Sequence, residues 1–325
     1  MNLHEDPGIF KDAIRATADH KNIREIYVEK DYWVTFVLHA IFHSKMKDVA
    51  VFKGGTSLSK CYQAINRFSE DIDIVVFSDE SLSNNQMDKR VRKVSKIVDD
   101  TILKEVKSDI TNKGGNFRKV TYAYDKSGFN QDFGQVRDKI VVEVSRLGHF
   151  EPHEEMEVHS LIVEMMQNRG QEELIEEYGL MPFPLKVLSI KRTFCEKIMS
   201  LVRFSYSEQP YHDLRNKIRH TYDIHMLLKK SSVKQFFNSE ELDSMLVRVA
   251  KDDIKSYGDQ YDWPHKHPAS ALIFDKPEET WNKIKAVYSG TFKELVIGDL
   301  PHEDELLKDL KKVSKRIEKM DWLLE

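Results

Sequence analysis

The stretch Asp-Ile-Asp-Ile-Val-Val-Phe at 71–77 sets two carboxylates at alternate positions into the start of a nearly continuous apolar run. A short run of that kind reads as a strand buried on both faces near the middle of a sheet. Side chains alternate along a strand, so Asp71 and Asp73 project to one face about 7 Å apart, while Ile72 and Ile74 project to the other. Two like charges this close repel until one takes a proton or a cation lies between them. A hard divalent ion with oxygen ligands, Mg²⁺ or Mn²⁺, meets that demand.

Upstream, the apolar run 48–53 ends at Gly54-Gly55, and 56–65 has the pattern of a helix that starts directly from the glycines. Such a corner lets another group approach the backbone closely and leaves free N–H groups at a helix N-terminus. Thr56 and Ser57 add hydroxyls, which makes the corner a candidate for holding phosphate. Alone, a Gly-Gly pair is more often an ordinary turn and an Asp-x-Asp more often a pair of exposed charges. Their order, with one helix between, points to phosphoryl or nucleotidyl transfer.

The rest of the first half is mixed α and β. Two helices are expected over 8–43, with Tyr27, Tyr32, Phe36 and Ala40 on one face, and a charged helix over 85–107. Strands are expected at 119–124 and 139–145, with turns at 112–116 and 125–134. After Pro184 helical patterns dominate, which divides the chain into 1–184 and 185–325. The last helix sets Leu306, Leu310, Val313 and Ile317 toward a core among alternating charges.

With 325 residues, 40% of them hydrophobic, the chain can bury a substantial core, and a net charge of −4 argues against a protein that coats nucleic acid by bulk electrostatics. No apolar run has the length of a membrane span, and the polar, acidic start is not a secretion signal. Two distant cysteines, Cys61 and Cys195, suit buried thiols in a reduced, cytoplasmic protein. No dinucleotide or P-loop glycine motif is present, and His265 and His267 read as loop residues rather than metal ligands.

GGTSLSK followed by SEDIDI resembles the signature of the nucleotidyltransferase superfamily (DNA polymerase beta-like), in the form carried by AbiEii/AbiGii-type toxins. The resemblance implies an α/β (α+β) fold: a nucleotidyltransferase-type mixed sheet flanked by helices, then a C-terminal helical bundle domain contributing nucleotide- and acceptor-binding residues. It implies metal binding by Asp71, Asp73 and a third acid, for which Glu143 in KIVVEVS is the candidate, flanked as it is by valines. Gly54, Gly55, Thr56 and Ser57 would hold the nucleotide. In KVLSIKRTFCEKIMSLVRF the Glu196-Lys197 pair matches the family, which implies that Lys197 contacts the triphosphate. In RHTYDIHMLL, Asp223 aligns with a family acid and would orient Lys197, act as a base, or pair structurally. The preceding acid of that pattern is replaced here by His220 or Thr221. VEKDYWVT also resembles the family, with Lys30 a weaker candidate for nucleotide contact.

The function implied is a metal-dependent nucleotidyltransferase using Mg²⁺ or Mn²⁺ and an NTP. Its biological role would be a toxin-antitoxin toxin or phage-defence protein that transfers NMP to an acceptor such as the tRNA 3′ end and pairs with a cognate antitoxin. Between Lys186 and Lys230, ten Lys or Arg stand against four Asp or Glu, which marks this stretch for RNA. Transfer to a protein or small-molecule hydroxyl, and a catalytically silent nucleotide- or partner-binding module, are the alternatives.

Overall fold

The computed structural model describes residues 1–77, 81–129, 135–258, 260–322 and 324. They form two compact units: Met1–Cys61, Phe68–Arg146 and His153–Leu188 make the first, and Tyr62–Arg67, Leu147–Pro152 and Ser189–Glu325 the second. Beside the major division after Leu188, the chain thus enters the second unit twice before it.

The first unit is built on a mixed sheet. Among the described residues its strands are β1 (Ala50–Lys53), β2 (Ile72–Val76), β3 (Lys104–Glu105), β4 (Asn112–Lys113), β5 (Phe117–Ala123), β6 (Ile140–Ser145), β7 (His153–Val158) and β8 (Phe183–Leu188). Their order is β3-β5-β6-β2-β1-β8-β7, with β4 paired to β5. β2 lies centrally, parallel to β6 and antiparallel to β1, as its apolar run requires. The first helix, α1 (Pro7–Lys21), starts on Asp6, whose side chain accepts from the Ile9 N–H, and ends on Asn22 in the left-handed region. The next, α2 (Glu25–Phe42), differs from the one-faced helix expected. Tyr27 and Tyr32 are buried, Phe36 and Ala40 only half-buried, and the whole run from Ile26 to Thr35 is buried, Glu29, Lys30 and Asp31 included. A helix this apolar around its circumference belongs inside a core, and its charges are held there by partners.

Short α3 (Gly54–Lys60) follows β1, and α4 (Asn84–Lys96) follows β2 behind a Ser83/Gln86 capping box. The long helix expected to Lys107 stops at Lys96. Its buried stripe of Met87, Val91 and Val94 ends, a 3₁₀ turn spans Val98–Asp100, and the Thr101 side chain donates to the Val98 carbonyl while accepting from the Leu103 N–H. The chain beyond then pairs with β5 as β3. Of the turn expected at 125–134, residues 130–134 lie outside the described residues. Helices α5 (Leu161–Asn168) and α6 (Glu172–Glu177) complete the unit.

The second unit is helical: α7 (Ile190–Ser205), α8 (Pro210–Asn216), α9 (Ile218–Lys229), α10 (Ser231–Phe237), α11 (Glu241–Tyr257), α12 (Leu272–Asp275), α13 (Pro277–Ser289) and α14 (Glu303–Ile317). α14 buries Leu306, Leu310, Val313 and Ile317, the stripe expected of it. Cys61 and Cys195 are both buried, and burial raises each thiol's pKa, that of Cys61 to about 12. No described helix is long and apolar enough to cross a membrane.

Candidate active site

Sheet register creates the site. Lys53 on β1 stands opposite Asp73 on β2, Asp73 opposite Glu143 on β6, and Glu143 opposite Lys119 on β5. Residues paired across strands share a face, so these four make one row, plus-minus-minus-plus, over four strands. The Lys119 Nζ lies 3.1 Å from Glu143 Oε2. Burial, then the charges of Glu143 and Asp71, push the Asp73 carboxyl up to about 7, against the pull of Lys53 and Lys119. Asp71 sits one residue before β2 rather than within it, and its Oδ1 accepts from Arg137 Nη1 at 2.7 Å.

Gly54 is where this row meets the turn. Its φ is +82°, and a Cβ placed on it would lie 2.1 Å from Asp73 Oδ2. Glycine is therefore required both by the backbone and by the carboxylate packed against it. Thr56 and Ser57 are buried, and their hydroxyls are already used: Thr56 Oγ1 donates to the Asp71 carbonyl at 2.6 Å and Ser57 Oγ to the Gly54 carbonyl at 2.9 Å. The first bond ties the turn to the segment that carries the acids, and the second closes the turn on itself. The far end of α3 is fixed by Lys60, which pairs with the buried Asp31 at 2.5 Å; Asp31 also accepts from the Leu161 N–H at the start of α5. Lys30 is fully buried against Glu70 at 3.1 Å, which removes it as a direct nucleotide contact.

Lys197 and Asp223 form a cluster within the helical unit. Asp223 accepts from Arg67 Nε at 2.7 Å and Nη2 at 2.8 Å, and lies 2.6 Å from Lys197 Nζ. Burial would raise its pKa, but Arg67 and Lys197 outweigh this and hold the carboxyl far below its usual range. At His220, one of the two positions at which the resemblance led to an acid being expected, burial and then Lys197 and Lys217 lower the pKa well below normal. Arg67, Lys197 and Asp223 are all buried. Arg67 gave no signal in the sequence beyond its place just before the SEDIDI segment.

The basic surplus between Lys186 and Lys230 is less open than its composition suggests. Besides Lys197, Lys191 pairs with Glu241, Arg192 with Glu196 and Asp252, and Arg203 with Asp253. On α14, by contrast, Lys308, Lys312 and Lys315 fall on one exposed stripe that Lys319 continues, with no carboxylate paired to any of them among the described residues.

Among the described residues no three His, Cys, Asp or Glu side chains are gathered closely enough to hold an ion. Asp71 is drawn to Arg137 and Glu143 to Lys119. The donor set nevertheless suits a hard divalent cation: oxygen ligands only, from adjoining strands, where burial and then the repulsion of Glu143 and Asp71 raise the Asp73 carboxyl to about 7.

The sequence from 36 to 310 matches the family model described as the AbiEii nucleotidyl transferase toxin of type IV toxin-antitoxin systems. No curated protein matches the chain. Among solved structures, the nucleotidyltransferase toxin MenT4 of Mycobacterium tuberculosis superposes with a TM-score of 0.54 at 16% identity, covering 95% of this chain and 90% of that one. JHP933 of Helicobacter pylori aligns over 90% of this chain and 94% of its own at 17% identity, with a TM-score of 0.38. The fold is thus shared with a nucleotidyltransferase toxin, and by the extent of the family match this chain belongs to the AbiEii nucleotidyltransferase toxins.

Proposed function

We propose that this enzyme is a metal-dependent toxin that moves a nucleoside monophosphate from an NTP to the 3′ end of a tRNA. The reading is carried by the Asp73-Glu143 row beside Gly54, with Asp71 next to it: repelling acids set against a glycine corner. Asp71, Asp73 and Glu143 would hold Mg²⁺ or Mn²⁺, which when bound offsets phosphate charge and lowers the pKa of an attacking hydroxyl. Gly54 and Gly55 contribute main-chain N–H donors for the triphosphate, and the buried side chains of Thr56 and Ser57 keep that turn in shape. Lys197 would supply a positive charge to the phosphates, oriented by Asp223, which Arg67 in turn holds. The acceptor oxygen bonds to the α-phosphorus as the bond to pyrophosphate breaks, and Glu143 takes the hydroxyl proton.

An RNA acceptor is supported by the exposed lysines of α14, Lys308, Lys312 and Lys315, which have no carboxylate partner among the described residues. The cognate antitoxin of a type IV system is the protein partner. The test is incubation with each of the four labelled NTPs and total tRNA or cell lysate, beside an Asp71→Ala, Asp73→Ala double variant. Label is expected on tRNA with wild type only. Label on protein or on a small solute would reassign the acceptor, and equal labelling by the double variant would remove the acids from the chemistry.

A further inference from the structure

We propose that Arg137 is a triphosphate-binding residue of this site, parked on Asp71 until a divalent cation takes that carboxylate. The inference rests on the nucleotidyltransferase reading above and adds to it a residue that no sequence motif marks.

The main chain at Arg137 is gripped by a buried ion pair. Its N–H donates to both Glu70 carboxylate oxygens, at 3.0 and 3.2 Å, and its carbonyl accepts from Lys30 Nζ at 2.6 Å. Lys30 also donates to the Lys139 carbonyl. Lys30 is 0% and Glu70 5% exposed. Desolvation lowers the pKa of the first and raises that of the second, and each opposes the shift in the other. A buried pair of this kind adds little net stability over an apolar one. What it does here is hold both polar groups of one residue at a fixed place beside the acid strand.

The side chain so placed is open to solvent, at 44% exposure, with Nη1 2.7 Å from Asp71 Oδ1 and 3.8 Å from Glu70 Oε1. Asp71 is one of the three acids assigned to the metal. Asp71 would exchange Arg137 for a divalent ion, which carries twice the charge of a guanidinium and approaches a carboxylate oxygen more closely. The released guanidinium would stay tethered by its main chain beside Asp71, where its planar fork of donors matches phosphate oxygens. The anion that arrives there with the metal is the triphosphate.

Arg137→Gln and Arg137→Lys test this, since neither substitution touches the main-chain bonds to Glu70 and Lys30. Mn²⁺ binding is measured without nucleotide by electron paramagnetic resonance. Binding of α,β-methylene NTP analogues and of the matching NMPs is then measured with Mn²⁺ present. Arg137→Gln is expected to bind Mn²⁺ at least as tightly as wild type. It should lose about 10- to 100-fold in NTP affinity, with NMP affinity nearly unchanged and Arg137→Lys intermediate. NTP affinity within twofold of wild type overturns the proposal. So does an equal loss of Mn²⁺ affinity, which would make Arg137 a prop for Asp71. If wild type binds Mn²⁺ but none of the four NTP analogues, the nucleotidyltransferase reading of the site fails, and the role of Arg137 with it.

Discussion

Replacing Gly54 by alanine tests the geometry of the site most directly. The new methyl group would start 2.1 Å from Asp73 Oδ2, 3.0 Å from its Cγ and 3.3 Å from its Cβ, on a residue with φ of +82°. The backbone conformation alone costs a non-glycine residue about 1–2 kcal/mol. The Asp73 carboxylate must also turn off its preferred rotamer, for about 0.5–1.5 kcal/mol more. A loss of about 1.5–3.5 kcal/mol corresponds to a fall in Tm of roughly 3 to 14 °C for a unit of this size. The two contributions separate in a double-mutant cycle with Asp73→Ala, measured by thermal and denaturant unfolding. In the Asp73→Ala background only the backbone cost remains, so a coupling of about 0.5–1.5 kcal/mol is expected between the two positions. Nucleotidyl transfer by Gly54→Ala should fall much further than stability, because the displaced carboxylate leaves the row with Glu143. A coupling indistinguishable from zero would refute the packing of Asp73 on Gly54, and full transfer activity in Gly54→Ala would refute the need for it.

Because Asp73 has a folded pKa near 7, above its unfolded value, the native state keeps a proton that the unfolded chain has lost. In a chelating buffer, stability should therefore fall as pH rises from about 4 to about 7 and then level off; Asp73→Asn should flatten that slope in a Tm-versus-pH series. Mn²⁺ should raise the Tm more at pH 8 than at pH 5.5, and an equal rise at both would speak against these acids as its ligands. Arg67→Met removes the bidentate partner of Asp223 and should cost about 3–5 kcal/mol in denaturant unfolding at pH 7. The folded pKa of Asp223 is depressed, so that loss should shrink as pH falls below about 4, where the unfolded carboxyl is already protonated. Reversing Lys308, Lys312 and Lys315 to glutamate should weaken tRNA binding and lower the slope of log affinity against log salt by about 0.7–0.9 for each phosphate no longer neutralised. An unchanged slope would place the RNA elsewhere.

The amino-acid sequence by itself determined the central strand, the glycine corner before it and the helical second half, because each is written in local terms. A short apolar run, a Gly-Gly pair and helical periodicity need no distant partner to be legible. Asp73 and Glu143 could be singled out, since a charge inside an apolar strand must be balanced by something. Only the tertiary structure decided what balances it. Strand register set Lys53 and Lys119 at the two ends of the acid row, and register depends on pairing between segments far apart in the chain. The β7-β8 pair was hidden for a related reason: His-Glu-Glu-Met-Glu-Val is too polar to read as a strand, yet it can lie at the sheet edge, where one side needs no partner. The hydroxyls of Thr56 and Ser57 are visible in the sequence, but not the Asp71 and Gly54 carbonyls they bond, and Lys30 is visible, but not its buried grip on Arg137. A side chain's hydroxyl or charge is visible in a sequence, but the group that already occupies it is brought there only by folding.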